Sequence, residues 1–155
     1  DYYGSISSGY DELYKEEQIK KLRIIKDNLD IKKEHKLLDV GCGTGFSLDF
    51  FDCYCIGLEI STKMAKNNPK IIIGKAENLP FPDKFFDIVI SVTALHNFED
   101  YKKALEEMKR VGKNMFAFSV LKRASSFKEI QNAIFSLFKV KKIIEESKDV
   151  VFIVE

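Results

Sequence analysis

Residues 37–45, with the sequence LLDVGCGTG, constrain the fold more than any other part of this chain. Residues 37–40 are mostly apolar and too few for a helix, which predicts a strand buried on both faces, as in a parallel sheet. Gly41, Gly43 and Gly45 follow at alternate positions. Glycine tolerates the positive φ of a tight reversal and lets a ligand approach the backbone. The pattern therefore predicts a strand, a ligand-binding turn and a helix whose free N–H groups face the ligand.

The spacing of the glycines bears on whether this turn binds a dinucleotide. Phe46 stands where the dinucleotide fingerprint G-x-G-x-x-G requires its last glycine, which argues against NAD. Asp39 lies two residues before the first glycine, and Glu59 closes the next predicted strand. With these two acids, the chain resembles the class I, Rossmann-like S-adenosylmethionine-dependent methyltransferases, of the small-molecule, ubiquinone-biosynthesis-like type.

Residues 74–87 carry a second resemblance to this family, because many small-molecule methyltransferases of the class have a closely similar stretch there. In those proteins an aspartate usually precedes the alanine and accepts a hydrogen bond from the adenine amino group. This chain has Lys75 at that position. The backbone N–H of Ala76 or Glu77 remains available to an adenine ring nitrogen. The substitution is therefore expected to weaken the contact with adenine without abolishing it.

Apolar runs, β-branched residues and turn signals predict the remaining elements. Strands are predicted at 37–40, 53–58, 70–74, 88–92 and 115–120, and in a hairpin at 139–145 and 150–154. Helices are predicted at 10–29, 46–51, 62–67 and 101–110, and from Ser126, which has the S-x-x-E capping-box spacing.

The resemblance also implies an architecture. The expected fold is an α/β three-layer sandwich with a seven-stranded, mostly parallel sheet of order 3-2-1-4-5-7-6, in which strand 7 is antiparallel. Residues 1–155 are expected to form a single methyltransferase domain. Within it, residues 1–30 are an N-terminal helical segment over the cofactor site.

The family's cofactor implies roles for several residues. S-adenosyl-L-methionine is the expected cofactor, with S-adenosyl-L-homocysteine as the product. In the family, the acid at the tip of the second strand binds both ribose hydroxyls, and the next residue lies against adenine. A Tyr-Asp pair near the N-terminus often belongs to a segment that folds over the cofactor, although a helix start with an aromatic staple explains Tyr10 equally well. The predicted cofactor-binding residues are Tyr10, Asp39, Gly41, Gly43, Gly45, Glu59, Ile60, Ala76, Glu77 and Ser91.

Residues 91–98 are the expected place for the methyl acceptor, since ligands of parallel sheets lie beyond the carboxyl ends of the strands. Methyl transfer from a sulfonium relieves charge at sulfur, so alignment of donor and acceptor is the main task. If the acceptor is a hydroxyl or a protonated nitrogen, a base helps, and His96 is the only histidine nearby. His96 is therefore the candidate catalytic residue, with a structural or substrate-contacting role as the alternative.

Three functions stay open at this point. The leading one is a methyltransferase acting on an unidentified small molecule, RNA or protein. The absence of an Asn-Pro-Pro-aromatic run after the fourth strand argues against the branch that methylates exocyclic adenine nitrogens or glutamine amides. The second is a non-catalytic cofactor-binding subunit or degenerate paralogue, which Lys75 and the absence of the family's Pro-Gly-Gly turn support. The third, an NAD-dependent dehydrogenase, is disfavoured by Phe46.

Composition and charge argue against a membrane-spanning protein, and they do not indicate a nucleic-acid partner or a zinc site. The 155 residues are 45% apolar and 32% charged, as is ordinary for a globular domain, and no apolar run approaches the ~18 residues of a membrane span. The net charge of +1 does not indicate a nucleic-acid partner, although residues 109–142 hold nine basic residues and one acidic residue. Three cysteines and two histidines are a poor supply of zinc ligands, so no metal site is predicted. Reduced thiols fit a cytoplasmic protein.

The sequence of the predicted third strand indicates a surface for a partner. In the family's sheet order it is an edge, and an edge presents unpaired N–H and C=O groups. Residues 71–73 are three isoleucines, flanked by Lys70 and Lys75. Some RNA- and protein-modifying members of the family are activated by a small zinc-binding protein that adds a strand to such an edge. We expect this edge to be covered by a strand-paired partner protein or by a second copy of the chain, with shielding by a helix or loop as the alternative.

Overall fold

The computed structural model describes residues 8–155, and the side chains of residues 12–155. The helices are α1 (Ser8–Asn28), α2 (Thr62–Ala65), α3 (Tyr101–Val111) and α4 (Phe127–Leu137). The strands are β1 (Lys36–Val40), β2 (Tyr54–Glu59), β3 (Ile71–Ile73), β4 (Phe86–Val92), β5 (Gly112–Leu121), β6 (Val140–Glu145) and β7 (Asp149–Val154). Two short 3₁₀ helices span Phe46–Asp49 and Leu95–Asn97.

The strands form one seven-stranded sheet in the order β3-β2-β1-β4-β5-β7-β6. The first five strands pair in parallel, and β7 runs antiparallel to both β5 and β6. The predicted order and the antiparallel seventh strand are therefore confirmed. This topology brings the carboxyl ends of β1, β2 and β4 to one edge of the sheet, where the glycine turn also lies.

Neighbouring residues of each central strand pack into two separate cores, one on each face of the sheet. In β4, Ile88 and Ile90 belong to a core that α1 completes with Leu22 and Ile25. Val89 belongs to the other core, together with residues of α3 and α4: Leu105, Met108, Ile130 and Ile134. Each fully buried Leu or Ile contributes roughly 1.5–3 kcal/mol. Helices on both faces of a sheet give the predicted three-layer sandwich.

The helix predicted at 46–51 is wrong in type and length, because the chain forms only a 3₁₀ helix at Phe46–Asp49. Residues 41–53 must return the chain from the carboxyl end of β1 to the amino end of β2. A 3₁₀ helix rises about 2.0 Å per residue against 1.5 Å for an α-helix, so it covers this distance with fewer residues. Leu48 and Phe51 are buried within this connection and fix it to the core.

At least five of the nine basic residues of 109–142 form ion pairs within the fold. Arg110 pairs with Glu107 and Asp83, and Lys113 pairs with Asp87. Further pairs join Lys122 to Glu145 and both Lys139 and Lys141 to Glu155. Ion pairing within the fold therefore takes up part of the positive charge of this segment. From α1 to α4, no described helix is both long and apolar enough to cross a membrane.

Candidate functional site

A cavity of about 720 Å³ opens at the carboxyl ends of the parallel strands. Its volume lies within the range of about 300–1,000 Å³ that is typical of small-molecule sites. The glycine turn forms one part of its wall, and Glu59 at the end of β2 forms another. Residues 92–94 and 97–99, at and beyond the end of β4, form a third. The cavity therefore lies where an open parallel sheet binds its ligands.

The turn after β1 is held in a conformation that favours glycine. Gly41 has a φ of +80° and Gly43 a φ of +60°. The amides of Gly41 and Cys42 both donate to the carbonyl oxygen of Leu58, at 2.8 and 3.1 Å. These bonds tie the turn to the end of β2, so the two acids of the motif are held near one another.

The space around the glycines differs from one to the next. A Cβ on Gly41 would stand 2.8 Å from the Cβ of Ala94, so the glycine permits close approach of the chain after β4. A Cβ on Gly43 would meet only the Cε of Met64, at 3.5 Å. The backbone of Gly43 therefore borders open cavity, where a ligand can contact it directly.

Glu59 is hydrogen-bonded on both of its carboxylate oxygens. Oε1 accepts from the amide of Gly43 at 2.8 Å, and Oε2 accepts from the amide of Ser61 at 2.9 Å. Because a carboxylate has about four lone-pair sites, each oxygen can still accept from a ligand. Glu59 lines the cavity, and its contact with a cofactor stays a prediction.

Asp39 lines the cavity but is only 3% exposed. Its Oδ2 accepts a hydrogen bond from the hydroxyl of Ser47, whereas its Oδ1 is buried without a hydrogen-bond partner. Burial raises the pKa of Asp39 to about 7, the Ser47 bond opposes this, and the charge of Glu59 adds to it. An orphaned acceptor beside a cavity is a position where a ligand donor would be stabilised.

The residues predicted to bind adenine also line the cavity. Ile60 is 63% exposed, Ala76 is buried, and Glu77 is half-buried. Glu77 is held by the amide of Asp100, which donates to its Oε2 at 2.9 Å. Lys75 is exposed and does not line the cavity. Lys75 therefore brings no positive charge into the cavity.

Two of the predicted cofactor-binding residues do not line the cavity, and the side chain of a third lies outside the described residues. Ser91 is fully buried and donates its hydroxyl to the carbonyl oxygen of Val40 at 2.8 Å. Gly45 faces the interior side of the turn, where an added Cβ would stand 2.8 Å from the side-chain nitrogen Nδ2 of Asn68. Tyr10 belongs to α1, but its side chain lies outside the described residues. Their contacts with a cofactor stay predictions.

His96, the candidate base, is half-buried in the second 3₁₀ helix and does not line the cavity. Its Nδ1 is buried without a hydrogen-bond partner. Burial lowers the pKa of His96, and the charge of Asp149 opposes that shift. A neutral imidazole could accept a proton, but its ring would first have to turn toward the cavity.

Several cavity residues were missed by sequence reasoning. Tyr14, Gln18 and Leu22 line it from α1, at helical spacing. The periodicity of α1 predicted one packed face but not that part of this face borders a site. Other lining residues had no specific signal beyond their position after a strand: Cys42, Thr44, Met64 and Glu99.

The cysteines do not form a metal centre in the part of the chain that the structure describes. Cys53 and Cys55 place their sulfur atoms 3.8 Å apart, and no third metal-ligating side chain joins them there. Cys42 lines the cavity, and burial raises the pKa of its thiol, with Asp39 and Glu59 adding to the effect. A protonated thiol is a poor nucleophile and metal ligand.

The chain is similar in sequence to methyltransferases. The family model described as methyltransferase domain matches residues 38–115. An uncharacterized protein of Methanocaldococcus jannaschii is 39% identical over 131 residues; this match covers 77% of this chain and 50% of the relative. A demethylmenaquinone methyltransferase of Paenarthrobacter aurescens is 37% identical over 100 residues; this match covers 59% of this chain and 40% of the relative. The chain thus spans at most half the length of these two relatives.

Solved structures share the fold at lower sequence identity. A chain of the complex between the Haloferax volcanii Trm112 methyltransferase activator and the putative methyltransferase has a TM-score of 0.78 and 15% identity. That match covers 94% of this chain and 92% of the other. A SAM dependent methyltransferase from Aquifex aeolicus has a TM-score of 0.71 and 18% identity, with 86% and 88% of the two chains covered. At these identities the likeness concerns the fold.

Proposed function

The chain belongs to the family of Rossmann-like, S-adenosylmethionine-dependent methyltransferases, and from that membership we propose that it transfers a methyl group from S-adenosylmethionine to an acceptor. We base this on one cavity, which brings together the open backbone of Gly43, the Glu59 carboxylate and the unpartnered Oδ1 of Asp39. Asp39 and Gly43 come from the glycine motif of residues 37–45, and Glu59 is the acid that closes the next strand.

The described residues fit this cofactor. Asp39 Oδ1 would accept from the methionyl ammonium, which supplies the donor that this buried oxygen lacks. The free lone pairs of Glu59 would accept from the two ribose hydroxyls. Ile60 offers exposed apolar surface to adenine, and the amides of Ala76 and Glu77 are the proposed partners of its ring nitrogens.

The chain's own residues would act by binding and orientation. When bound, S-adenosylmethionine supplies a methyl group on a sulfonium, which an acceptor attacks in line. The glycine turn and Glu59 fix the donor, while residues 92–94 and 97–99 shape the acceptor side. Proximity and orientation can supply up to roughly 7–11 kcal/mol. A general base at His96 stays a proposal that requires its ring to turn.

The charge of the cavity favours a neutral or cationic acceptor. Among the described lining residues, four carry carboxyl groups and none carries a basic side chain; the four are Asp39, Glu59, Glu77 and Glu99. Residues 1–11 also contain no Lys, Arg or His. An anionic acceptor such as RNA would meet repulsion in such a site. We therefore propose a small neutral or cationic molecule rather than RNA.

The edge of the sheet at β3 is the proposed binding surface for a partner protein. On this edge, Ile72 is 37% exposed and Ile73 is 48% exposed. Exposed isoleucines beside unpaired backbone groups favour the addition of a strand. The Haloferax volcanii neighbour was solved in a complex with a methyltransferase activator, which supports the proposal by likeness of fold. A second copy of this chain is the competing occupant.

The domain limits and the location are also proposals. We propose that residues 1–155 act as one methyltransferase domain, with residues 1–30 covering the cofactor site. Tyr14, Gln18 and Leu22 support this role, because they border the cavity from α1. We propose a cytoplasmic location, which the three free cysteines support.

Calorimetry with S-adenosylhomocysteine and with NAD tests the cofactor. We expect binding of S-adenosylhomocysteine only, and its loss in Gly43→Val, whose side chain would project into the cavity. Ile143→Val, on the edge strand β6 at the other side of the sheet, is the control. Circular dichroism and thermal melting check that both variants fold. Near-normal affinity in a folded Gly43→Val would contradict the site, and binding of NAD would favour a dehydrogenase.

Transfer from methyl-labelled S-adenosylmethionine tests catalysis. The acceptor pools are a small-molecule cell extract, total tRNA and a protein fraction. We expect label in the small-molecule pool. Label in tRNA would contradict the proposed acceptor class. Tight cofactor binding without transfer to any pool would favour a non-catalytic cofactor-binding subunit.

A further inference from the structure

A buried ion pair lies behind the wall of the cavity. Lys21 of α1 and Asp149 at the start of β7 have side chains that are 4% and 0% exposed, with Nζ and Oδ1 3.3 Å apart. Removing two charges from water offsets much of their attraction, so a buried pair is a weak source of stability. The position of the pair in the fold indicates a different role.

Thr93 connects this pair to the cavity, which it lines. Lys21 Nζ donates to Thr93 Oγ1 at 3.0 Å, and the Thr93 hydroxyl donates to Asp149 Oδ2 at 2.6 Å. Ser119 Oγ lies 3.2 Å from the same hydroxyl oxygen. A threonine hydroxyl has one hydrogen and two lone pairs, and these three contacts use all of them. The hydroxyl is therefore committed to the protein and has no capacity left for a substrate.

The backbone of Thr93 is in a conformation that a β-branched residue rarely adopts. Its φ is +52°. Such a conformation persists only where the surroundings over-determine it, and it is found most often at functional sites. The amide of Thr93 donates to both the carbonyl oxygen and the hydroxyl of Ser119, each at 2.9 Å. The turn is thus fixed through its backbone as well as its side chain.

The chain after this turn forms the acceptor side of the cavity. Ala94 lies against the glycine turn, since a Cβ on Gly41 would stand 2.8 Å from its own Cβ. Asn97, Phe98 and Glu99 follow as lining residues. Lys21 belongs to the same helix as the lining residues Tyr14, Gln18 and Leu22. One polar cluster therefore joins two walls of the cavity.

We propose that Lys21, Thr93 and Asp149 form a positioning cluster, which holds the Thr93 turn in its left-handed conformation and thereby fixes residues 94–99 against α1. The cluster acts on the shape of the acceptor side and not on the reacting atoms. The proposal rests on the proposed function only for the identity of the molecule that fills the cavity.

Hydrogen exchange by mass spectrometry on the ligand-free chain tests the cluster. In Thr93→Ala, which loses the hydroxyl, we expect amides of residues 94–99 to exchange at least tenfold faster than in the parent. Thr93→Ser keeps the hydroxyl and should restore the parent's protection. Peptides from β1 and β4 should be unchanged in both variants, because the two cores are untouched.

The ion pair needs a second variant, because Lys21→Met alone would leave an uncompensated buried carboxylate. The double variant Lys21→Met with Asp149→Asn removes both charges and should also speed exchange in residues 94–99. Lys113→Met, which breaks an exposed ion pair with Asp87 at 3.0 Å, is the matched control and should leave that segment unchanged.

Two results would overturn the proposal. One is parent-like exchange of residues 94–99 in folded Thr93→Ala and in the double variant. The other is acceleration spread equally over β1, β4 and residues 94–99, which would assign the cluster to general stability. Methyl transfer is measured separately. A local change in exchange in a chain that transfers no methyl group would support the cluster while rejecting the proposed function.

Discussion

Asp39 is a carboxyl group held in surroundings that disfavour its charge. Burial raises its pKa to about 7, the hydrogen bond from Ser47 opposes this, and Glu59 adds to it. The folded protein therefore keeps a proton on Asp39 between pH 4 and 7, where the unfolded chain has released it. Because the folded state binds more protons in this window, stability must fall as the pH rises through it.

Replacing Asp39 with asparagine should remove this loss. Between pH 5 and pH 8, the free energy of unfolding of the parent should fall by about 2–3 kcal/mol relative to Asp39→Asn, at 1.36 kcal/mol per pKa unit. Urea unfolding at the two pH values measures the difference. Asp87→Asn is the control: burial acts to raise the Asp87 pKa, but bonds from Lys36 and Lys113 hold it below its ordinary value. Asp87 is thus charged throughout this range. Parallel pH curves for the parent and Asp39→Asn would contradict the prediction.

Glu59 should matter for cofactor affinity. Glu59→Gln replaces the carboxylate that would accept from both ribose hydroxyls with a neutral amide, whose NH₂ group cannot accept. Loss of charge-assisted hydrogen bonds costs about 1.5–3 kcal/mol, so affinity for S-adenosylhomocysteine should fall roughly 10- to 150-fold. Calorimetry measures this loss, with Glu106→Gln on the exposed surface of α3 as the control. Affinity within twofold of the parent would exclude Glu59 from the cofactor site.

At the residue scale, the sequence predicted the positions of groups that are set by short local motifs. The positions of Asp39, Gly43 and Glu59 follow from short motifs at strand ends, and all three line the cavity. Ser91 and His96 also lie near a strand end, but the directions of their side chains depend on the register of β4 and on the turn at Thr93. A single sequence gives no signal for that turn, because its positive φ is maintained by residues from distant elements.

At the element scale, the strands were predicted to within a few residues, since apolar and β-branched runs mark them directly. Helix ends were less predictable. The S-x-x-E spacing predicted a capping bond at Ser126, but its side chain makes none. Ser126 has a ψ of 7°, because the turn before α4 already continues into the helix, with Phe127 donating to the carbonyl oxygen of Ala124. Asp100 instead caps α3 by accepting from the amide of Lys103 at 3.1 Å.

These two positions form a matched pair for measurement. Asp100→Ala removes a side-chain cap and should lower the free energy of unfolding by about 1 kcal/mol. Ser126→Ala removes no capping bond and should stay within about 0.5 kcal/mol of the parent. Urea unfolding of both variants tests the assignment. A larger loss in Ser126→Ala than in Asp100→Ala would show that the caps are assigned to the wrong helices.

At the scale of the whole molecule, the sheet order and the family were predictable and are confirmed. The glycine motif of residues 37–45 indicated the family, and the sheet order was predicted from the family. The Lys21–Asp149 pair was not predictable, because it joins the first helix to the last strand and neither residue belongs to a motif. The topology also leaves the sheet with two unlike edges. On β6, Lys141 and Lys142 are exposed, whereas β3 presents only isoleucines.

The difference between the edges gives a prediction about association. Charge on an edge strand prevents strand addition, and β3 has none of its own. Ile72→Glu should abolish binding of a strand-paired partner and leave affinity for S-adenosylhomocysteine unchanged. Ile143→Glu, at an isoleucine that is 50% exposed on β6, is the matched control and should keep the partner. Lys70 and Lys75 flank β3 and provide amines for cross-linking, so mass spectrometry can map the contact in the native source.

Sedimentation of the purified chain separates the two possible occupants of this edge. A dimer that Ile72→Glu converts to a monomer would assign the edge to a second copy. A monomer whose cross-links from Lys70 and Lys75 reach another protein, and which loses them in Ile72→Glu but not in Ile143→Glu, would assign it to a partner. A monomer that is fully active alone and gives no cross-links at β3 would contradict both, because the exposed isoleucines would then have no partner to bind.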